Sequence, residues 1–329
     1  MRAGVLWASC AVAVLACLPL LVPPYFVTVL ASALALSIAC LGLAMLLTTG
    51  LLSLGHAAFF GLGAYAGGFL YTFSRTPVTL EVYLACGVLA SGVVAAAFGL
   101  VCVRTSRMYF SILTLVLGEL VHAVFVSGLA FRPFGGVGAG LFLEGEGGLY
   151  IPALPLFGMA LPSAAFDRML YYVVLACFTG TAAALWQIGR SPWGLALRAL
   201  GLNETRALFL GIPVRLYRWY AVVGSGVLAG LAGGLFGQIA RQVTPEQVHW
   251  TWSLELVLAT VLGGTERLAG PIVGAWAFVA LAEIAGRWQF YRMVLGGLLI
   301  AVVLLCPRGL ASSVLAVLPR THRGRERPG

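Results

Sequence analysis

The sequence contains no lysine, because all 20 of its basic residues are arginines. A Walker A phosphate-binding loop requires a Gly-Lys-Ser/Thr sequence, so the chain cannot itself be a conventional P-loop ATPase. Enzymes that form a Schiff base on a lysine side chain, such as pyridoxal enzymes, are excluded as well.

Charged residues of both signs are scarce. They make up 9% of the 329 residues, whereas hydrophobic residues make up 61% and the mean hydropathy is +1.00. Soluble domains carry about a quarter charged residues, and disordered chains have low hydrophobicity, so both classes are excluded. Long apolar runs also argue against a transmembrane barrel, which would show short alternating strands. The composition therefore predicts an all-α integral membrane protein.

Recognisable metal and catalytic motifs are missing. The seven cysteines lie in apolar stretches without C-x-x-C spacing, and we interpret them as packing residues. No H-E-x-x-H or nucleophile-elbow pattern occurs. We therefore expect no metal site, no bound cofactor, no catalytic residue and no enzyme activity. The net charge of +9 is interpreted as a topology signal and not as a sign of nucleic-acid binding.

The chain has about ten apolar segments, and a transmembrane helix needs about 20 such residues. They run from Gly4 to Val22, Val27 to Leu47, Leu51 to Phe73, Glu81 to Val103, Met108 to Ala130, Met169 to Ile188, Tyr217 to Ile239, Leu254 to Gly264, Gly270 to Gly286 and Met293 to Cys306. A polytopic helical fold is predicted. The segment Leu254 to Gly264 covers only about 16 Å as a helix, so it is expected to be a half-helix or a re-entrant segment.

The arginines predict the orientation. If the N-terminus is cytoplasmic and ten segments alternate, fourteen arginines lie inside and six outside, which obeys the positive-inside bias. Both termini are then cytoplasmic. The alternative is that the first segment is a cleaved signal peptide, because Arg2 precedes an apolar run and Val14–Cys17 resembles a lipoprotein cleavage box.

No low-complexity linker divides the chain, so residues 1–329 are expected to form one transmembrane domain. Three non-membrane parts are predicted: an external loop at 131–168, a cytoplasmic loop at 189–216 and a basic cytoplasmic tail at 307–329.

The cytoplasmic loop contains a short helix with its own end signals. Asn203 is a favourable N-cap, Glu204 places negative charge at the positive helix end, and Gly211 can adopt the left-handed conformation after the last turn. The residues between them, including Ala207, are too apolar to remain uncovered. A partner is therefore expected there, either another protein or the bilayer interface.

Two Gly-flanked polar interruptions precede apolar segments, one in each half of the chain. The first is Gly50–His56 and the second is Gly264–Gly270. Paired interruptions are typical of transporters with internal repeats, in which freed backbone groups face the substrate route. The candidate path residues are Ser53, Gly55, His56, Gly263, Gly264 and Gly270.

Ionisable groups at membrane depth are few, and each should face a partner or a cavity. Glu119 and His122 are three residues apart, so they are expected to pair on one helical face. Glu283 is a further such group.

Glycines also recur at intervals of four residues, at Gly63 and Gly67 and again at Gly226, Gly230 and Gly234. This spacing predicts close contacts between helices.

Several blocks, in order along the chain, resemble the permease subunits of branched-chain amino acid ABC importers, particularly the LivM-type subunit. They are SLGHAAFFGLGAY at 53–65, YFSILTL at 109–115 with Gly118–Glu119, GLALRA at 194–199 with Asn203–Glu204 and Gly211–Ile212, LGG at 262–264, GPIVGA at 270–275 and PRGL at 307–310. The resemblance covers about residues 30–310. The external loop departs from it, because residues 134–140 keep the glycines and lose the usual polar members.

The resemblance implies a permease subunit of an ATP-binding cassette importer in the bacterial inner membrane, carrying branched-chain or other hydrophobic amino acids. The implied partners are a second related permease, two cytoplasmic ATPase subunits that use ATP and Mg, and a periplasmic substrate-binding protein. Asn203, Glu204, Ala207 and Gly211 would couple the chain to an ATPase.

Three alternatives stay open at this stage. Urea, short amides or aromatic acids are possible cargoes of the same architecture. A secondary transporter driven by an ion gradient would work alone. A membrane enzyme would use His56 and Glu119.

Overall fold

The computed structural model describes residues 2–73, 78–127, 148–156, 158, 162–265 and 267–286, together with positions 293, 296, 297, 300 and 310. Its helices are α1 (Arg2–Leu21), α2 (Pro24–Leu47), α3 (His56–Phe73), α4 (Leu80–Cys102), α5 (Arg107–Val126), α6 (Ser163–Arg190), α7 (Pro192–Leu202), α8 (Glu204–Phe209), α9 (Val214–Ala240), α10 (Trp250–Gly263) and α11 (Ala269–Ala285). A 3₁₀ helix, Pro245–Val248, precedes α10. Strands β1 (Leu149–Tyr150) and β2 (Gln242–Val243) pair antiparallel.

The prediction of a polytopic helical membrane protein is confirmed. Within the described residues, five helices are long and apolar enough to cross a membrane, namely α2, α4, α5, α6 and α9, and shorter apolar helices occur in α1, α10 and α11. The predicted tenth segment, residues 293–306, lies outside the described residues apart from four isolated positions. Residues 131–147 of the external loop also lie outside them, as does the tail 307–329 apart from Leu310.

Helix α9 lies against α2, α3 and α4, and its glycines allow the close approach. A Cβ atom on Gly230 would lie 1.8 Å from Ser91 Oγ in α4. A Cβ atom on Gly63 in α3 would lie 2.0 Å from the carbonyl oxygen of Gly230. Because no larger residue fits at these two positions, the close contacts predicted from the glycine spacing are confirmed.

The two ends of the bundle carry different features. One end, called the arginine end, holds Arg107, Arg190, Arg198 and Arg267 near the C-terminus of α2. The other end, called the strand end, holds the β1–β2 pair and an ion pair of 2.7 Å between Arg241 and Asp167. Arg241 therefore lies at the opposite end of the bundle from the other four arginines.

The helices that follow the two predicted long loops begin earlier than predicted. Helix α6 begins at Ser163, ahead of the predicted Met169. The prediction missed its first turns because their polar residues lower the local hydropathy. The predicted loop 189–216 is mostly helical, since α7 and α8 occupy it and α9 begins at Val214. Ser191 starts α7, and its Oγ accepts a hydrogen bond from the Gly194 amide at 3.2 Å.

Candidate functional site

Helix α3 is a broken helix. The predicted segment Leu51–Phe73 is helical only from His56, and residues 51–55 are not helical. Side chains of α5 replace the hydrogen bonds that these residues lose. Ser111 Oγ donates to the Leu52 carbonyl oxygen at 2.7 Å, and the Leu54 amide donates to Thr114 Oγ1 at 3.2 Å. The interruption predicted at Gly50–His56 is therefore present and is stabilised by α5.

The break carries the start of α3 into the interior of the bundle. Gly55 packs directly against α5, where a Cβ atom on Gly118 would lie 3.0 Å from Gly55 Cα. Gly118 is eleven residues beyond Arg107, which corresponds to about 16 Å along a helix. Helix α3 thus begins roughly half-way between the arginine end and the opposite end of α5.

Two more helices hold the start of α3. His56 is fully buried, and its Nε2 lies 2.8 Å from Ser225 Oγ in α9. The Ala57 amide donates to Ser253 Oγ in α10 at 2.7 Å. Two buried atoms, Ser53 Oγ and His56 Nδ1, have no hydrogen-bond partner among the described residues. The broken helix is therefore the junction of α3, α5, α9 and α10.

Helix α10 is the second broken helix, and the sequence analysis missed where its break lies. The Trp250 amide donates to Glu119 Oε1 at 2.9 Å. Glu119 follows Gly118, so α10 and α3 begin at the same depth along α5. Strand β2 and the 3₁₀ helix lead the chain from the strand end to this point. The polar run RQVTPEQVH at 241–249, with a proline and few apolar residues, is the signal that could have identified it.

The predicted second interruption, Gly264–Gly270, is instead a tight turn between α10 and α11 at the arginine end. Gly264 has φ +88°, a conformation that favours glycine. A Cβ atom on Gly263 would lie 1.8 Å from the Gly270 carbonyl oxygen, and one on Gly270 would lie 1.8 Å from the Gly264 carbonyl oxygen. Close packing therefore explains all three glycines. The segment Leu254–Gly264 runs to the arginine end and does not turn back.

Two cavities lie beside these helices. The first, about 430 Å³ at the arginine end, is lined by Arg190, Arg198 and Arg267. The second, about 250 Å³, is lined by Glu255 and Glu283. The Tyr25 hydroxyl donates a hydrogen bond to Glu283, which confirms that this carboxylate has both a partner and a cavity. Neither cavity is lined by any of the six predicted path residues.

The Glu119–His122 pair is present, with His122 Nδ1 3.7 Å from Glu119 Oε2. A third side chain, which the sequence analysis missed, joins it. The His249 ring lies edge-on to the His122 ring, with 4.9 Å between the ring centroids. His249 is the N-cap of α10, so the polar cluster links α5 to the start of that helix.

The short loop helix α8 has the ends that the sequence predicted. Asn203 Oδ1 accepts a hydrogen bond from the Arg206 amide at 3.0 Å. Gly211 has φ +79° and donates its amide proton to the Leu208 carbonyl oxygen at 2.9 Å, while the Ile212 amide donates to the Ala207 carbonyl oxygen at 3.1 Å. This pair of bonds is the Schellman arrangement. The prediction of a self-capped helix is confirmed.

Helix α8 is anchored to the bundle on its inner side. Both carboxylate oxygens of Glu204 bind Arg218 of α9, at 3.0 and 2.7 Å. Ala207 is 1% exposed and packs with Leu200 and Val214. Glu204 and Ala207 thus position α8, and their predicted role in ATPase coupling stays a prediction.

The outer side of α8 is apolar and exposed. Leu208, Phe209 and Leu210 are 61%, 85% and 78% exposed, and the neighbouring Leu202 is 88% exposed. We call these four residues the apolar patch. The patch lies on a helix that is capped at both ends and carries Arg206, and such an exposed apolar surface indicates contact with another protein or with a membrane.

Sequence comparison with known proteins agrees with this architecture. The family model described as branched-chain amino acid transport system / permease component matches residues 25–303, which is most of the chain. The chain belongs to this family. Its members are permease components of transport systems, and the apolar helices of this chain agree with a place in a membrane.

Individual relatives carry different cargoes. The chain is 27% identical over 292 residues to the high-affinity branched-chain amino acid transport system permease protein LivM of Escherichia coli (strain K12), covering 80% of this chain and 64% of that protein. It is 26% identical over 160 residues to the ribose import permease protein RbsC of Bacillus subtilis (strain 168), covering 46% of each. The match to LivM therefore spans less than two thirds of that relative. No solved structure matches the chain.

Proposed function

We propose that this family member is the permease subunit of an ATP-binding cassette importer, and that its cargo is a branched-chain or other hydrophobic amino acid. The family and the similarity to LivM support the proposal. The absence of lysine also supports it, because ATP hydrolysis then belongs to separate subunits. Its further partners are a second permease and an external substrate-binding protein, and its location is the bacterial inner membrane with both termini in the cytoplasm.

The observation that carries the proposal is the apolar patch on α8. Covering one large apolar side chain contributes about 1.5–3 kcal/mol, so Phe209 and its neighbours offer an ATPase a strong contact. Asn203 and Gly211 fix the ends of the helix, and Glu204 and Ala207 hold it against the bundle. The four residues predicted to couple the chain to the ATPase thus hold α8 in place, and the apolar patch makes the contact with the ATPase.

Hydrogen bonds and close packing connect α8 to the broken helices. Arg218 joins α8 to α9. At the end of α7, the carbonyl oxygens of Leu200 and Gly201 accept hydrogen bonds from Arg107 of α5, at 2.8 and 3.1 Å. A Cβ atom on Gly201 would lie 2.1 Å from the Thr48 carbonyl oxygen, just after α2. A rigid-body displacement of α7 and α8 together would therefore move α2, α5 and α9.

Two of these helices, α5 and α9, also hold the start of α3. The proposed substrate path includes Ser53, Gly55 and His56, because two helix N-termini and two buried polar atoms lie there. Helix N-termini favour the carboxylate of an amino acid. These residues are buried in the present arrangement, so the path opens only when α5 and α9 move. Gly263, Gly264 and Gly270 keep α10 and α11 close together during that movement.

The experiment is reconstitution in proteoliposomes with the ATPase subunits, the second permease and the binding protein that the proposal assigns to this chain. Uptake of radiolabelled leucine should require internal ATP and should stop when the Walker A lysine of the ATPase is replaced. Unlabelled ribose, urea and benzoate are added as competitors of leucine uptake to test the cargo. Strong competition by one of them would mean that this compound, and not an amino acid, is the cargo. Ion-driven transport by this chain alone would support a secondary transporter and contradict the importer.

A further inference from the structure

We propose that Glu119, His122 and His249 bind a divalent transition-metal ion of the Zn²⁺ class between α5 and the start of α10. The proposal goes beyond the transport function and does not depend on it. Imidazole nitrogen and carboxylate oxygen are ligands that Zn²⁺ takes in proteins.

The three side chains already converge. One ligand atom from each lies within 4.8 Å of the other two. Zinc–ligand distances of about 2.0–2.2 Å in a tetrahedral site place neighbouring ligand atoms about 3.3–3.6 Å apart. Side-chain rotations that move each atom by about 1 Å would close the site around an ion, and neither helix needs to move.

Two of the three ligands are oriented by groups outside the cluster. Glu119 Oε1 accepts the Trp250 amide hydrogen bond at 2.9 Å, which leaves Oε2 for the ion. His249 Nδ1 lies 2.9 Å from Thr251 Oγ1, which leaves Nε2 for the ion. With Nε2 on the metal, Nδ1 carries the proton and donates it to Thr251 Oγ1, and it then no longer accepts the long hydrogen bond of 3.5 Å from the Thr251 amide. Such outer partners fix the ring and its tautomer at metal sites.

The contact between Glu119 and His122 leaves ligand atoms of both side chains able to bind an ion. At 3.7 Å, His122 Nδ1 and Glu119 Oε2 are too far apart for a hydrogen bond. Both side chains are partly exposed, and three protein ligands leave a fourth position for water. The N-terminus of α10 disfavours a cation by about 0.3–1 kcal/mol, but the negative charge of Glu119 lies closer to the site and offsets this effect.

The test uses the full chain, purified in detergent with an affinity tag that contains no histidine and stripped of metal with a chelator. Among the described cysteines, Cys10 and Cys17 are exposed, so a C10S/C17S background removes the two thiols that would compete most for the ion. Calorimetry should find one Zn²⁺ per chain, and Co²⁺ should give the absorption bands of a nitrogen and oxygen site. A bound ion that links α5 to α10 should also raise the thermal unfolding temperature.

Three variants and one control test the ligands. His122→Gln, His249→Asn and Glu119→Gln should each weaken Zn²⁺ binding at least about tenfold. Asparagine is a good N-cap, and glutamine can still accept the Trp250 amide, so these variants preserve the start of α10. The control, His322→Gln, removes a histidine of the tail and should leave affinity unchanged.

Two results would overturn the proposal. One is that the C10S/C17S chain binds no Zn²⁺. The other is that His122→Gln and His249→Asn bind it as tightly as the parent while circular dichroism and gel filtration show an unchanged fold. No transport is measured, so failure here is separate from failure of the importer proposal.

Discussion

Arg218 Nη1 and Nη2 contact the two carboxylate oxygens of Glu204 at 3.0 and 2.7 Å, and this ion pair joins the loop helix α8 to the long helix α9. Arg218 is 3% exposed, whereas Glu204 is 46% exposed. A buried guanidinium group that loses its partner is strongly destabilising. Glu204 therefore has a structural role in addition to any role in coupling.

Replacing Glu204 with arginine is expected to lower the thermal unfolding temperature and to weaken ATPase association, because two positive charges would then meet beside α9. Glu204→Gln should be milder, with a loss of roughly 1–3 kcal/mol. The measurements are thermal unfolding in detergent and co-purification of the ATPase. Arg206→Gln, on the exposed side of the same helix, is the charge control. Unchanged unfolding, ATPase association and substrate-stimulated hydrolysis in Glu204→Arg would contradict the prediction.

The variant Phe209→Ser distinguishes an effect on ATPase binding from an effect on the stability of the fold. Phe209 is 85% exposed, so its replacement should leave the unfolding temperature nearly unchanged while ATPase co-purification falls at least about tenfold, equivalent to 1.4 kcal/mol. Tyr150→Ser is the matched control, because Tyr150 is an exposed aromatic residue at the strand end. Equal ATPase recovery from both variants would show that the apolar patch is not the docking surface.

Ser225→Ala should destabilise the chain by about 1–3 kcal/mol, because it leaves the buried His56 Nε2 without its hydrogen bond. Ser127→Ala is the control. Its hydroxyl is exposed and, within the described part of the chain, bonds only to the carbonyl oxygen of Val124, so the change should stay within about 0.5 kcal/mol. Equal unfolding temperatures for the two variants would mean that the His56–Ser225 contact does not support the broken helix.

Gly230→Ala should destabilise the bundle by about 1–3 kcal/mol, since the new Cβ atom would lie 1.8 Å from Ser91 Oγ. The double variant with Ser91→Gly should recover most of this loss, because the next nearest atom, the Gly87 carbonyl oxygen, is 3.3 Å away. Gly180→Ala is the control, because no atom of the described residues lies within 4 Å of its Cβ position. If the double variant is no more stable than Gly230→Ala, steric contact with Ser91 is not the cause.

Features formed within a few residues could be predicted from the sequence. The caps of α8 lie at most five residues from the groups they bind, so Asn203 and Gly211 were sufficient to define that helix. The spacing of Gly226 and Gly230 identified a packing face for the same reason. Long apolar runs likewise predicted the membrane helices, because the high hydropathy of each run is a property of consecutive residues.

Features that join distant parts of the chain could not be predicted. Glu204 and Arg218 pair across the loop before α9, and His249 reaches His122 from more than a hundred residues away. Neither contact leaves a periodic pattern in the sequence. The glycines of Gly264–Gly270 predicted the second break at that point. The break before α10 instead consists of polar residues and a proline, which are also common in ordinary loops.

The tight turn between α10 and α11 has a consequence for biosynthesis. Helix α10 has only 14 residues and contains Glu255, so the translocon would release it into lipid alone at a considerable free-energy cost. A Cβ atom on Gly274 of α11 would lie 1.9 Å from the Ala259 carbonyl oxygen of α10, which shows how closely the two helices pack. We therefore expect the two to enter the bilayer together as a helical hairpin, so that a nascent chain becomes firmly integrated here only after α11 has left the ribosome.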